Sequence, residues 1–135
     1  MAKLKSISPI SRENVSALPV RDLAPAIAYY ESVMGFNLLR RDAAAATLQR
    51  DGVQLGLVIK LDHKPDQAGS LAFAVDELDA LHRELSDRGG RPGEFGIDEW
   101  NGKQFRTFFM REDENGYCYC FYCSAEKAPT TSGGA

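Results

Sequence analysis

Sulfur is concentrated near the end of the chain, in the stretch DENGYCYCFYC at 113–123. All three cysteines of the protein, Cys118, Cys120 and Cys123, lie within six residues of this stretch. Thiolates attack electrophiles and bind soft metal ions, and pairs of thiols form disulfides. Each of these chemistries needs a further group at a suitable distance, so the element that carries the cysteines decides between them.

The cysteines lie on a predicted strand, whose geometry limits what they can do. Cys118 and Cys120 point to one face, with Cα atoms about 6.5–7 Å apart, and Cys123 points to the other. That spacing is at or beyond the limit for a disulfide. As a nucleophile, Cys120 would need a nearby cation such as Arg106, and no histidine is placed to act as its base; a soft ion held by Cys118 and Cys120 would lack a third donor. An ordinary buried cysteine is the simplest interpretation, and we assign no catalytic residue and no metal ligand.

The composition predicts one acidic domain that works in the cytoplasm. The 135 residues are 44% hydrophobic, with a net charge of −3 and a pI near 5.4. Lys and Arg are scattered, which argues against a nucleic-acid partner, and no apolar run approaches the ~20 residues of a membrane span. The start, MAKLKSISPI, lacks the apolar region of a secretory signal, and an odd number of cysteines fits a reducing compartment. The small, polar tail at 125–135 is predicted to be disordered.

Hydrophobic periodicity and turn signals predict one helix and four strands in each half of the chain. After an irregular lead-in at 1–13, the first half is predicted to hold a strand at 14–20, a helix capped by Asp22 and ended by Gly35, and strands at 36–41, 44–50 and 53–59. After a polar linker at 61–69, the second half is predicted to hold a strand at 70–75, a helix capped by Asp76 and ended by Gly89-Gly90, and strands at 92–97, 104–110 and 117–123. Asp51-Gly52 and Asn115-Gly116 predict hairpin turns.

The βαβββ pattern therefore occurs twice, and the two copies align at an offset of 55 residues, as from Val20 to Val75. An offset of this length indicates duplication of one supersecondary unit. We predict an α+β fold in which tandem βαβββ modules form a curved mixed sheet with a cup, and the helices cover its convex face. The whole chain, 1–135, is predicted to be a single domain, with module one at about 14–60 and module two at about 70–123.

Alternation along the strands assigns side chains to the cup. Pairing of Gln49 with Gln54 across the first turn places both on the less apolar face. In the last hairpin, pairing of Met110 with Cys118 would place Phe108 opposite Cys120 and Arg106 opposite Tyr122. The residues predicted to bind a ligand share this inward face, apart from Trp100, which is predicted to lie in a polar loop above it: Thr47, Gln49, Gln54, Trp100, Arg106, Phe108, Cys118, Cys120 and Tyr122.

Such a wall, apolar with a few polar groups, suits a small organic ligand. Arg106 beside Tyr122 suits an anionic group of the ligand, and an ion pair between Arg106 and an acid such as Glu99 explains it equally well. The aromatic side chains are more often explained as core. A cup filled by its own side chains, or one that contacts a partner protein, remains an alternative to the ligand pocket.

Three stretches resemble the vicinal oxygen chelate (VOC) superfamily, which includes glyoxalase I, extradiol dioxygenases and bleomycin-resistance proteins. They are LPVRDLAPAIAYYESVMGF at 18–36, LAFAVDELDALHRELSDRGG at 71–90 and REDENGYCYCFY at 111–122. The resemblance covers about 14–123 and implies the VOC fold. This fold hosts both enzymes and binding proteins, so the function must come from the site.

The resemblance also implies where a metal ion would sit. Ligands of the metal-dependent members, carried over, fall on Val15, Gly56, Ser70 and Cys120, of which only Cys120 is a good donor. The sequence therefore resembles the metal-free, bleomycin-resistance-like branch, whose members bind a ligand and usually form dimers. We expect a homodimer that binds a small organic ligand with no cofactor. The alternative is a VOC-type enzyme, either a metal-dependent lyase or isomerase or a dioxygenase-like protein.

Overall fold

Two β-sheets, each packed against a helix, make up the fold in the computed structural model, which describes residues 2–10 and 14–125. In chain order the elements are β1 (Leu4–Pro9), β2 (Leu18–Val20), α1 (Leu23–Ser32), β3 (Asn37–Arg41), β4 (Ala45–Arg50), β5 (Val53–Ile59), β6 (Ser70–Val75), α2 (Leu78–Asp87), β7 (Gly96–Trp100), β8 (Lys103–Arg111) and β9 (Cys118–Ser124). A short 3₁₀ turn, Pro65–Gln67, lies between β5 and β6. Most of the tail predicted to be disordered lies outside the described residues.

Each sheet contains one βαβββ module. The four-stranded sheet has the order β2-β5-β4-β3. In it β2 and β5, which come first and last along the chain, are neighbours and pair in parallel. The five-stranded sheet has the order β1-β6-β9-β8-β7, with β6 and β9 parallel. The α+β class and the tandem modules predicted from the sequence are confirmed.

The strand β1 is absent from the sequence prediction, which has an irregular lead-in at 1–13. It pairs antiparallel with β6, and its register shifts where Lys5 bulges out between Leu4 and Ser6. The bulge interrupts the alternation of apolar and polar residues that indicates a strand. Asp76 accepts a hydrogen bond from the Lys3 backbone N–H at 2.7 Å instead of capping α2, whose N-cap residue is Glu77.

The helix-facing sides of the two sheets share one core. The Tyr119 hydroxyl on β9 donates a hydrogen bond to the Tyr30 hydroxyl on α1 at 2.8 Å, and Phe36 packs edge-on against Phe73. Buried residues of both modules belong to this core. Because the helix sides meet in the interior, the other face of each sheet points away from it.

Candidate ligand-binding site

The register of the β4–β5 hairpin is as predicted. Gln49 pairs with Gln54, and Thr47 pairs with Gly56. Thr47 and Gln54 line a shallow concavity of about 220 Å³ together with Ser16 and Arg40. This surface is polar, and it lies on the concave face of the four-stranded sheet.

The register of the β8–β9 hairpin differs from the prediction by one residue. Arg111, not Met110, pairs with Cys118, so Phe109 pairs with Cys120 and Thr107 with Tyr122. The turn is closed by a hydrogen bond from the Glu112 N–H to the Tyr117 carbonyl at 2.9 Å, which leaves a four-residue loop at 113–116. A shift of one residue moves every side chain of a strand to the opposite face.

The prediction that Arg106 and Phe108 face the cup is therefore wrong. Arg106 lies on the helix side, where it donates hydrogen bonds to both carboxylate oxygens of Asp79 at 3.1 and 3.2 Å. Its guanidinium also lies 4.7 Å above the Phe95 ring. Phe108 is fully buried and stacks on Phe121 with ring centroids 5.0 Å apart. Phe108 therefore belongs to the core, and Arg106 forms a partly exposed ion pair at the helix side of the sheet.

A wider concavity of about 540 Å³ lies on the other face of the five-stranded sheet. Its lining residues come from five different segments and include three aromatic rings: Ser8, Ile10, Ala72, Trp100, Asn101, Lys103, Phe105 and Tyr122. The missed strand β1 contributes Ser8, and the corrected register brings Phe105 to this face. Among the described residues, none lines both this concavity and the one beside Thr47. The predicted cup residues are thus divided between two surfaces.

Trp100 ends strand β7 instead of lying in a loop. Asn101 and Gly102 form the turn to β8, with φ angles of 52° and 77°, and Trp100 pairs with Lys103. Two consecutive positive φ angles explain the Asn-Gly dipeptide, which is the sequence signal for this hairpin. The Trp100 ring lies 5.0 Å from the Phe105 ring and 5.6 Å from the Tyr122 ring, centroid to centroid.

The floor of this face contains a neutral thiol and a hydrogen-bonded carboxylate. The Thr107 hydroxyl donates to Asp98 at 3.1 Å. Burial, together with the charges of Asp98 and Cys118, raises the pKa of Cys120 to about 11. Cys120 is therefore protonated near neutral pH, unlike an activated nucleophile. All three cysteines are free thiols.

A family model described as the Glyoxalase/Bleomycin resistance protein/Dioxygenase superfamily matches residues 12–121. The chain belongs to this superfamily.

Solved structures of the superfamily have the same fold. The bleomycin resistance determinant encoded on the transposon Tn5 is 22% identical, with a TM-score of 0.68 over 85% of this chain and 99% of that one. A bleomycin-binding protein complexed with bleomycin is 22% identical, with a TM-score of 0.66 over 84% and 99%. A protein from Alicyclobacillus acidocaldarius, named for the superfamily, is 23% identical, with a TM-score of 0.65 over 87% and 96%. No match was found among curated proteins.

The positions that the superfamily resemblance implies for metal ligands do not fit a divalent ion here. The Gly56 N–H donates to the Val15 carbonyl at 2.9 Å, and a side chain at Gly56 would collide with the backbone of Ser16. Within the described part of the chain, no three His, Cys, Asp or Glu side chains converge as a metal site. The two histidines lie elsewhere: His63 Nε2 is 2.9 Å from the Asn115 carbonyl oxygen, and the His82 ring stacks on Phe95.

The remaining predicted residues are on the expected face. Cys118, Cys120 and Tyr122 alternate along β9 with the helix-side residues Tyr119 and Phe121. None of the helices in the described ranges is long and apolar enough to cross a bilayer. Sequence reasoning missed Ser8, because of the bulge in β1, and Phe105 and Lys103, because of the register of β8.

Proposed function

We propose that this superfamily member binds a small organic ligand in the concavity of the five-stranded sheet, without a metal ion. The observation that carries the proposal is the concavity of about 540 Å³, whose wall is formed by apolar and aromatic side chains with a few polar groups. Pockets of this size and composition are typical of small-molecule sites. Bleomycin-binding proteins are among the structures with this fold, which supports small-molecule binding as the function.

We also propose that a second copy of the chain covers this concavity in a cytoplasmic homodimer. The concavity is open on one side, where Ile10 is 54% exposed and Phe109, on the same face, is 45% exposed. A tightly bound small ligand is typically buried over most of its surface, which an open sheet face does not achieve alone. The three free thiols are consistent with a reducing compartment.

The experiment uses Trp100, the single tryptophan of the protein, as a reporter at the site. Binding of the uncharged dye N-phenyl-1-naphthylamine is followed by dye emission excited through Trp100. We expect Ala72→Leu, which fills the concavity, to weaken dye binding by about tenfold or more, which corresponds to roughly 1.4 kcal/mol.

Ala74→Leu is the matched control, because Ala74 lies on the same strand and face but outside this lining. We expect this variant to bind the dye as the wild type does. Equal affinity of all three proteins, or no binding at all, would contradict the proposed site. Loss of binding in the presence of EDTA would contradict the metal-free part, and sedimentation at the mass of a monomer would contradict the dimer.

A further inference from the structure

We infer that the ligand is a flat aromatic molecule with an anionic group, whose rings lie against Trp100 and whose anion is bound by Lys103. The inference rests on the proposed function and specifies the ligand class of the same concavity. It combines three observations: an aromatic wall, a lysine on its rim, and the charges of the described residues on this face.

The aromatic wall is built from mutually supporting rings. The Tyr122 ring is nearly perpendicular to both others, at 87° to Trp100 and 88° to Phe105. This packing holds the rings in place, while Trp100 as a whole residue remains 40% exposed. A partly exposed, fixed ring gains contact area from a flat ligand at little cost in side-chain entropy. Aliphatic ligands would bury area too but would not use the ring geometry.

Among the described residues that line the concavity, Lys103 is the one that carries a charge. It is directly opposite Trp100 across the β7–β8 hairpin. Within the described ranges, none of the ion pairs involves Lys103. Its neighbour Glu99 pairs with Gln104, one position along each strand, and therefore lies on the opposite face.

The rest of the face favours an anion as well. Arg111 is placed on the concave face by its pairing with Cys118. The carboxylate on this face, Asp98, already accepts a hydrogen bond from Thr107. Among the strand residues that the structure describes on this face, two are cationic, Lys103 and Arg111, and one is anionic, Asp98, although the whole chain has a net charge of −3. Ser8 and Asn101 supply further polar groups at the rim.

The test compares two dyes with the same aromatic skeleton. 8-Anilino-1-naphthalenesulfonate carries a sulfonate that N-phenyl-1-naphthylamine lacks. We expect calorimetry at low ionic strength to show the sulfonate binding about fivefold more tightly or better, as charge-assisted contacts do. Lys103→Met should remove this preference, so that the two dyes bind the variant with similar affinities. Added salt should weaken the binding of the sulfonate dye and leave the binding of the uncharged dye unchanged.

Lys60→Met is the matched control, because Lys60 is an exposed lysine outside this lining. It should keep the preference for the sulfonate. Equal affinities of the wild type for the two dyes, or a preference for the sulfonate that survives Lys103→Met, would overturn the inference that Lys103 binds an anionic group of the ligand. Trp100→Leu should weaken both dyes, and full affinity in that variant would overturn the aromatic contact. Failure of the proposed function looks different: neither dye would bind, or Ala72→Leu would have no effect on either.

Discussion

The two sheets are built from the same module, yet their concave faces differ. On the four-stranded sheet the inward position of β5 is Gly56, and the backbone of Ser16 occupies the space where a side chain would lie. The equivalent position of the five-stranded sheet, also four residues after a turn glycine, is Cys120, beside an open aromatic concavity. Repetition of the topology preserves the buried helix side of each sheet. The exposed side is decided by individual side chains and by the segment that lies along the sheet edge.

The edges explain much of this difference. Strand β2 has only three residues, and the turn before it approaches β5, where Val15 accepts the Gly56 N–H. Strand β6 has six residues and is extended sideways by β1. The chain therefore fills part of one concave face, at Gly56, and widens the other. This asymmetry is the reason for proposing a ligand site in only one of the two similar halves.

The largest effect is expected from two adjacent phenylalanines that test the register of the five-stranded sheet. Phe108→Ala should destabilise the protein by about 3–5 kcal/mol, because a fully buried ring is lost from the core. Phe109→Ala, on the concave face, should cost less than about 1 kcal/mol. Urea denaturation measures both. A larger loss of stability for Phe109→Ala than for Phe108→Ala would instead support the register predicted from the sequence, in which Met110 pairs with Cys118.

A smaller effect on stability is expected from breaking the ion pair that connects the two modules. Arg50 on β4 donates hydrogen bonds to both oxygens of Glu84 on α2 at 2.8 and 2.9 Å, and the Arg50 side chain is only 9% exposed. Arg50→Leu should lower the free energy of unfolding by about 3 kcal/mol, because Glu84 and nearby carbonyls lose a buried partner. Lys60→Leu, which breaks the exposed pair with Asp62, is the control and should cause no measurable change. Equal losses in the two variants would show that the Arg50 pair does not join the halves.

This ion pair also predicts an acid dependence of stability. Burial raises the pKa of Glu84, but hydrogen bonds and charge from Arg50 and Arg88 outweigh it and hold the pKa below its usual range. The stabilisation is therefore present above the pKa of the unfolded chain and is lost as pH falls through the folded pKa. Arg50→Leu should show a shallower loss of stability below about pH 5 than the wild type. Parallel curves would contradict this assignment.

The smallest effect is expected for the thiol of the five-stranded sheet. With a pKa of about 11, Cys120 is ionised roughly a hundredfold less near neutral pH than an ordinary cysteine. Iodoacetamide should therefore modify Cys120 far more slowly than the partly exposed Cys118, as measured by mass spectrometry of the peptides. The Cys120 rate should rise with pH up to the pKa. Rapid modification of Cys120 at pH 7 would contradict the raised pKa and show an activated thiol. The equivalent position of the four-stranded sheet, Gly56, has no side chain and so no thiol.

The two hairpin turns show why one register was predictable and the other was not. Asp51-Gly52 is a two-residue turn, which leaves only one pairing for its strands, and the observed pairing of Gln49 with Gln54 follows. The turn at 113–116 is longer and admits more than one register. Its shape depends on distant contacts: the Asn115 side chain accepts the Arg21 N–H, and the Tyr117 hydroxyl donates to the Pro19 carbonyl. These contacts bring together residues far apart in sequence and cannot be read from a local pattern.

The sequence by itself determined the duplicated modules, the two helices, and the buried faces of β4, β5, β6 and β9, because each of these follows from local periodicity and turn chemistry. Only the tertiary structure decided three further features: the pairing of β1 with β6, the register of β8, and the division of the predicted cup into two surfaces. Each depends on residues distant in sequence, such as Lys3 with Asp76 and Tyr30 with Tyr119. The proposed ligand-binding surface depends on all three of these long-range features, so its residues were the least predictable part of the molecule.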